Sequence, residues 1–88
     1  MISTAVTVTT TATRILTKSN SYRTIYLHVT GSGVVYLGGA DVSSTNGLLT
    51  EKNAVPLKLQ IPAQEELWAV VATGTESLRI LKPGFYNE

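Results

Sequence analysis

The feature that most constrains this chain is an apolar alternation with a period of two residues. Residues 22–29 carry it most clearly. Arg23, Ile25, Leu27 and Val29 fall on one face of an extended segment, and Tyr22, Thr24, Tyr26 and His28 on the other. Successive side chains of a strand point to opposite faces, so this period specifies a strand with one buried side. Residues 2–9 repeat it, with Ile2, Thr4, Val6 and Val8 set against Ser3, Ala5, Thr7 and Thr9. The branched β-carbons of those threonines favour an extended chain. A shorter run over residues 13–17 sets Ile15 against Arg14 and Leu16. Residues 55–61 place Val55, Leu57, Leu59 and Ile61 together before Pro62 closes the strand. Residues 67–72 are apolar on both faces, as expected of a strand inside a sandwich, and residues 76–81 supply the last strand.

The punctuation between these runs is glycine, proline and small polar residues. Thr30-Gly31-Ser32-Gly33 reads as the turn of a hairpin joining residues 22–29 to a strand at 34–37. Residues 38–53 have no period. Three glycines and a run of Ser, Thr and Asn surround Leu48 and Leu49, the one large apolar pair there, so the segment reads as a loop with its sharpest turn at Asn46-Gly47. Residues 63–72 have some helical propensity, but the Trp-Ala-Val-Val core between Pro62 and Gly74 favours a strand. The expected fold class is all-β: a small β-sandwich or jelly-roll-like barrel of about seven short strands. It forms one domain, residues 1–88, with residues 83–88 as a C-terminal tail.

Size and charge bound the function. A chain of 88 residues buries only roughly 60–65% of its unfolded surface. It is stable by on the order of 4–13 kcal/mol, which leaves little core in which to excavate an enclosed substrate pocket. With no cysteine, disulfides and thiolate metal sites are removed together, and oligomerisation is the support that remains. The net charge is +1 and the seven Lys and Arg residues are scattered. A nucleic-acid partner, which demands a concentrated basic face, is not expected. Residues 1–13 have neither a basic start nor an unbroken apolar run, and no stretch approaches the roughly 20 apolar residues that span a bilayer. No membrane partner is expected, and the chain reads as a product made soluble in the cytoplasm.

No set of catalytic groups can be assembled. His28, the one histidine, sits beside Tyr26 on an outward strand face with no Ser/His/Asp spacing around it, and reads as a surface or interface residue. Residues 41–47 faintly resemble a calcium loop, but offer one Asp with Glu51 displaced from the closing position. The preferred reading is a loop in which Asp41 and Asn46 bond their own backbone. Gly31-Ser32-Gly33 precedes a strand, so it is no phosphate cradle. Gly38-Gly39 marks a bulge or a close backbone approach. Glu65 and Glu66 point to opposite faces of an extended chain and read as solvated turn residues. No enzyme, cofactor or metal is expected. The aromatics carry more. Trp68, Val70 and Ala72 form a second apolar face, to be covered either within the chain or by another subunit. Phe85 and Tyr86 follow the last strand, where an exposed aromatic pair is costly unless it docks.

One resemblance spans nearly the whole chain, in order. The threonine-rich residues 2–9, the Arg-containing strand at 22–29, Val35-Tyr36-Leu37-Gly38-Gly39 with Asp41-Val42, Asn46-Gly47, Pro56-Leu57, Leu67-Trp68-Ala69-Val70 and Leu78-Arg79-Ile80-Leu81 together resemble a family of small bacteriophage virion proteins of the head decoration (cement) type. Two departures stand out: residues 48–55 are inserted before Pro56, and residues 82–88 extend past the usual end. The resemblance implies a homotrimer on the outer capsid surface that stabilises the shell by bridging major capsid protein subunits. Tail- or fibre-associated modules are the nearest alternative. A small carbohydrate-binding sandwich using Tyr26, Tyr36 or Trp68 to stack sugars is the alternative from another class. Tyr36, Asp41, Asn46, Leu48, Leu49, Phe85 and Tyr86 are the candidate subunit or capsid contacts.

Overall fold

The computed structural model describes residues 1–51 and 56–83. They form two four-stranded antiparallel sheets with no helix. The strands are β1 Ile2–Val8, β2 Thr13–Leu16, β3 Arg23–Val29, β4 Val34–Gly38, β5 Leu48–Glu51, β6 Leu57–Ile61, β7 Leu67–Val70 and β8 Glu76–Lys82. Sheet A runs β1-β8-β3-β6 and sheet B runs β2-β7-β4-β5.

The pairing has a simple logic. β1 pairs with β8, β2 with β7, β3 with β6 and β4 with β5, as if the chain were one long hairpin folded at the β4–β5 connection. Rolling that hairpin up adds the contacts β3–β8 and β4–β7. This order is a jelly roll, the double-sheet solution to burying one face of every strand. The chain changes sheet at every connection except β4–β5.

Period two does what it promised. On β3, Arg23, Ile25, Leu27 and Val29 are buried while Tyr26 is exposed, and on β8 Leu78 and Ile80 are buried while Arg79 and Leu81 are exposed. The core is one cluster built from both sheets, including Val8, Ile25, Leu27, Val29, Val35, Ala69 and Leu78, each 1% exposed or less.

Four expectations are corrected. First, the described residues form eight strands, because β5 lies within the segment expected to be a loop. Its four residues are too few to show a period, and its partner β4 supplies the order, with Thr50 opposite Val35. Second, residues 22–29 and 34–37 are not a hairpin. β3 and β4 stand in different sheets, and the turn between them is held by β8. Thr30 N–H donates to the Ser77 carbonyl (3.1 Å), and Gly33 N–H to the Glu76 carboxylate (2.8 Å). Third, Ile15 and Leu16 do not alternate. The β2–β7 register slips between Arg14 and Leu16, and this bulge lets both side chains turn inward. Fourth, Glu66 is not a solvated turn residue, as its contacts below show. Val55 and the expected C-terminal tail aromatics Phe85 and Tyr86 lie outside the described residues.

Arg23 is the least expected core residue. It is 1% exposed at the start of β3, opposite Ile61, and its Nη2 donates to the Glu65 carbonyl at 3.1 Å. The same turn is tied to residues 19–21. Gln64 N–H donates to the Ser19 carbonyl at 2.8 Å, and Gln64 Nε2 to Asn20 Oδ1. Gln64 holds a left-handed backbone, φ 70°. Buried polar groups need partners, and here they fasten the β2–β3 connection to the β6–β7 turn.

Candidate functional site

Two surfaces rise above the rest, and both follow from the register. The first is the outer face of sheet B with its β5 edge. Leu49, Tyr36 and Val70 stand in one cross-strand row, and Gly38, Trp68 and Arg14 in the next. The β4–β5 connection, residues 39–47, folds back over this face. Val42 is its anchor, 7% exposed yet separate from the main core cluster. A methyl group on Gly38 would fall 3.0 Å from Val42 Cγ2. One on Gly47 would fall 2.6 Å from Tyr36 Cβ and 3.0 Å from Val42 Cγ2. Neither glycine has a positive φ; both are there so that backbone and loop can touch. The expectation of a close approach at Gly38 is met, and Gly47 serves the same purpose rather than a left-handed turn.

The loop is closed by Asn46. Its Oδ1 accepts from Ser43 N–H at 2.7 Å and its Nδ2 donates to the Asp41 carbonyl at 3.4 Å. Backbone bonds from Val42 to Gly39 and from Gly47 to Ser43, each 3.0 Å, complete the turn. Asn46 is therefore spent on its own backbone. Asp41 keeps an exposed side chain. Among the described residues no three His, Cys, Asp or Glu side chains come together as a metal site.

Of the sequence candidates, this arrangement brings Tyr36, Asp41, Asn46, Leu48 and Leu49 to one end of sheet B. Leu48 and Leu49 are 54% and 53% exposed, although they stand opposite Leu37 and Tyr36. Among the described residues β5 pairs with β4 alone. The other two candidates, Phe85 and Tyr86, lie outside the described residues. Trp68 divides the question asked of it. Of the three residues of that second apolar face, Val70 is 5% exposed and so covered by the chain itself, whereas Ala72 is exposed. Trp68 is half-buried, and its Nε1–H donates to Glu66 Oε1 at 3.3 Å while Arg14 pairs with Glu66 Oε2 at 3.3 Å.

The second surface is the outer face of sheet A. It carries a shallow depression of about 460 Å³ whose rim includes Ser3, Ala5, Tyr26, His28, Arg79 and Leu81. The register explains the grouping. Ser3 opposes Leu81, which opposes Tyr26, which opposes Lys58; Ala5 opposes Arg79, which opposes His28. Period two pointed to Tyr26 and His28. It could not show that β8 and β1 would flank them, because that adjacency comes from the topology.

No family model, curated protein or solved structure matches the chain. A jelly roll hosts unrelated functions, so function has to be argued from these two surfaces.

Proposed function

We propose that this chain is a bacteriophage capsid decoration protein, which binds the outer head surface as a homotrimer and stabilises the shell by bridging major capsid protein subunits. The reading starts from the ordered series of motifs, and the jelly roll, an architecture shared by viral capsid and lectin domains, is compatible with it. The observation that carries it is the β5 edge. Leu48 and Leu49 stand more than half exposed on a strand whose outer edge has no partner among the described residues, with Leu49 opposite Tyr36 and Leu48 opposite Leu37. An edge with large apolar side chains invites pairing with another chain unless it is covered. In a small domain with a thin core, a partner that covers it adds stability that the isolated chain lacks. Many such contacts, present only in the assembled lattice, would stabilise that lattice.

The test is sedimentation. The isolated protein is expected to run as a trimer and to co-sediment with purified expanded heads, and the Leu48→Lys/Leu49→Lys double variant is expected to remain in the supernatant with its melting temperature unchanged. Equal co-sedimentation of the variant would remove the β5 edge from the interface. Protein that ignores heads but is found in virions at a few copies would favour a tail or fibre module.

A further inference from the structure

We propose that the outer face of sheet A is a binding site for a carboxylated sugar, independent of the β5 edge and of what that edge contacts. Three observations converge on it.

The first is shape. The depression of about 460 Å³ falls in the range of small-ligand sites, roughly 300–1,000 Å³. It exists because β1 places Ser3 and Ala5 opposite the much longer Leu81 and Arg79, so the face is low along β1 and high along β8 and β3.

The second is an apolar platform. Tyr26 is 40% exposed in the interior of a central strand, directly opposite Leu81 at 36%. A pyranose presents C–H groups on one face and hydroxyls at its rim. An exposed tyrosine beside a leucine offers the matching surface, with the phenol and the Ser3 hydroxyl as polar handles.

The third is charge. Arg79 lies between Ala5 and His28, and Lys58 is opposite Tyr26. None of the outward positions of the four strands is Asp or Glu. Glu76, on β8, is engaged by Gly33 N–H. Glu66, which pairs with Arg14, belongs to the other sheet. Arg79 is exposed, and a guanidinium fork matches a carboxylate with two parallel hydrogen bonds. A single-ring ligand with one carboxylate fits one arginine, one platform and a shallow bowl. A nucleic acid would require a longer run of cations.

The experiment is a two-dimensional NMR titration of the full chain with D-galacturonate and, separately, with D-galactose. Saturable shifts are expected at Ser3, Ala5, Tyr26, His28, Arg79 and Leu81, with half-saturation by galacturonate on the order of 1–10 mM for so small a ligand on an open site. Galactose is expected to bind about tenfold more weakly, for want of the charge-assisted pair. Arg79→Gln should bring galacturonate down to the galactose value, and Arg79→Lys should restore only part of the difference. Tyr26→Ala should weaken both sugars. Both positions, Arg79 and Tyr26, are solvent-exposed, and an unchanged spectrum away from this face verifies the fold of each variant. The proposal is overturned by any of three results: no saturable shift, equal affinity for the two sugars, or a tetraglutamate peptide that shifts the same residues as strongly as galacturonate does. The last would make the face a docking site for acidic protein segments.

Discussion

Replacing Gly47 with alanine is expected to destabilise the domain by lifting residues 39–47 from sheet B, and the size of the effect can be worked from contact distances. The added carbon would meet Tyr36 Cβ at 2.6 Å, Val42 Cγ2 at 3.0 Å and the Ser43 carbonyl oxygen at 3.1 Å. Carbon atoms in good contact sit about 3.5–4.0 Å apart, so the first of these is short by about 1 Å. Tyr36 Cβ cannot retreat, because β4 is paired on both sides, with β5 and β7. The loop must yield instead. As it lifts, Val42 leaves its seat against Gly38, and the bonds from Asn46 to Ser43 and Asp41 are strained together. Overpacking of this kind costs about 1–3 kcal/mol, and exposing a valine alone accounts for about 1.5 kcal/mol of such a loss. For a domain of this size each kcal/mol lowers the melting temperature by roughly 4–8 °C. Urea unfolding followed by Trp68 fluorescence would measure the loss as a fall in midpoint at constant slope. Gly39→Ala is the internal control. Its new carbon meets only Asp41 Oδ1, at 3.4 Å, an ordinary contact, and should leave the midpoint within error. If Gly47→Ala and Gly39→Ala unfold together, the loop is not seated on the sheet as described and the reasoning fails.

The remaining predictions probe other joints of the fold. Glu76→Ala should cost about 1–2 kcal/mol, because it leaves Gly33 N–H without its acceptor; Glu76→Gln, which retains an acceptor oxygen, should recover most of that in the same urea assay. Gly74→Ala should cost about 1 kcal/mol for a different reason: φ is +67° while the surrounding space is open, so the penalty is backbone strain alone and Gly74→Asn should be milder. Arg23→Ala should cost about 2–4 kcal/mol by emptying a buried site and depriving the Glu65 carbonyl of its donor. Hydrogen exchange in that variant should rise first in residues 62–66. Arg14→Gln, which breaks a half-exposed pair with Glu66, should change stability by less than about 1 kcal/mol.

What the sequence made legible was whatever obeyed a period. The alternation on β1, β3 and β6 identified strand and buried face together, down to Arg23 being assigned to the same side as Ile25 and Leu27. That a guanidinium would be fully covered was not legible, since its cover comes from a turn some forty residues away. The same limit applies to β5. Leu48 to Glu51 has too few residues to show alternation, and only the pairing with β4 makes it a strand. The bulge at Ile15 is invisible for the related reason that it is a property of two strands in register. At the candidate surfaces, Tyr36, Leu48 and Leu49 could be picked out as unattached apolar residues, but their meeting depends on the β4–β5 pairing. Arg79 and Leu81 read only as members of the last strand. The rolled topology is what sets them beside Tyr26 and His28.

The topology also decides how the two surfaces can be used together. A sandwich of two sheets has two outer faces pointing in opposite directions, and this molecule is thin, with a smallest extent of 17 Å. The β5 edge and the loop carrying Val42 belong to sheet B, whereas Tyr26, Arg79 and Leu81 belong to the far side of sheet A. A subunit held through sheet B therefore turns sheet A away from whatever holds it. On a shell decorated in many copies, weak individual sites on the outward faces add up through multivalency, and a monosaccharide affinity in the millimolar range then suffices to retain a whole particle on a polysaccharide. The two proposals separate cleanly at this point. The Leu48→Lys/Leu49→Lys variant should lose particles and keep galacturonate, while Arg79→Gln should keep particles and lose the preference for galacturonate. A variant of either kind that loses both would mean that the two faces act as one surface, which the opposite orientation of the sheets forbids within a single subunit and permits only across neighbouring subunits of an oligomer.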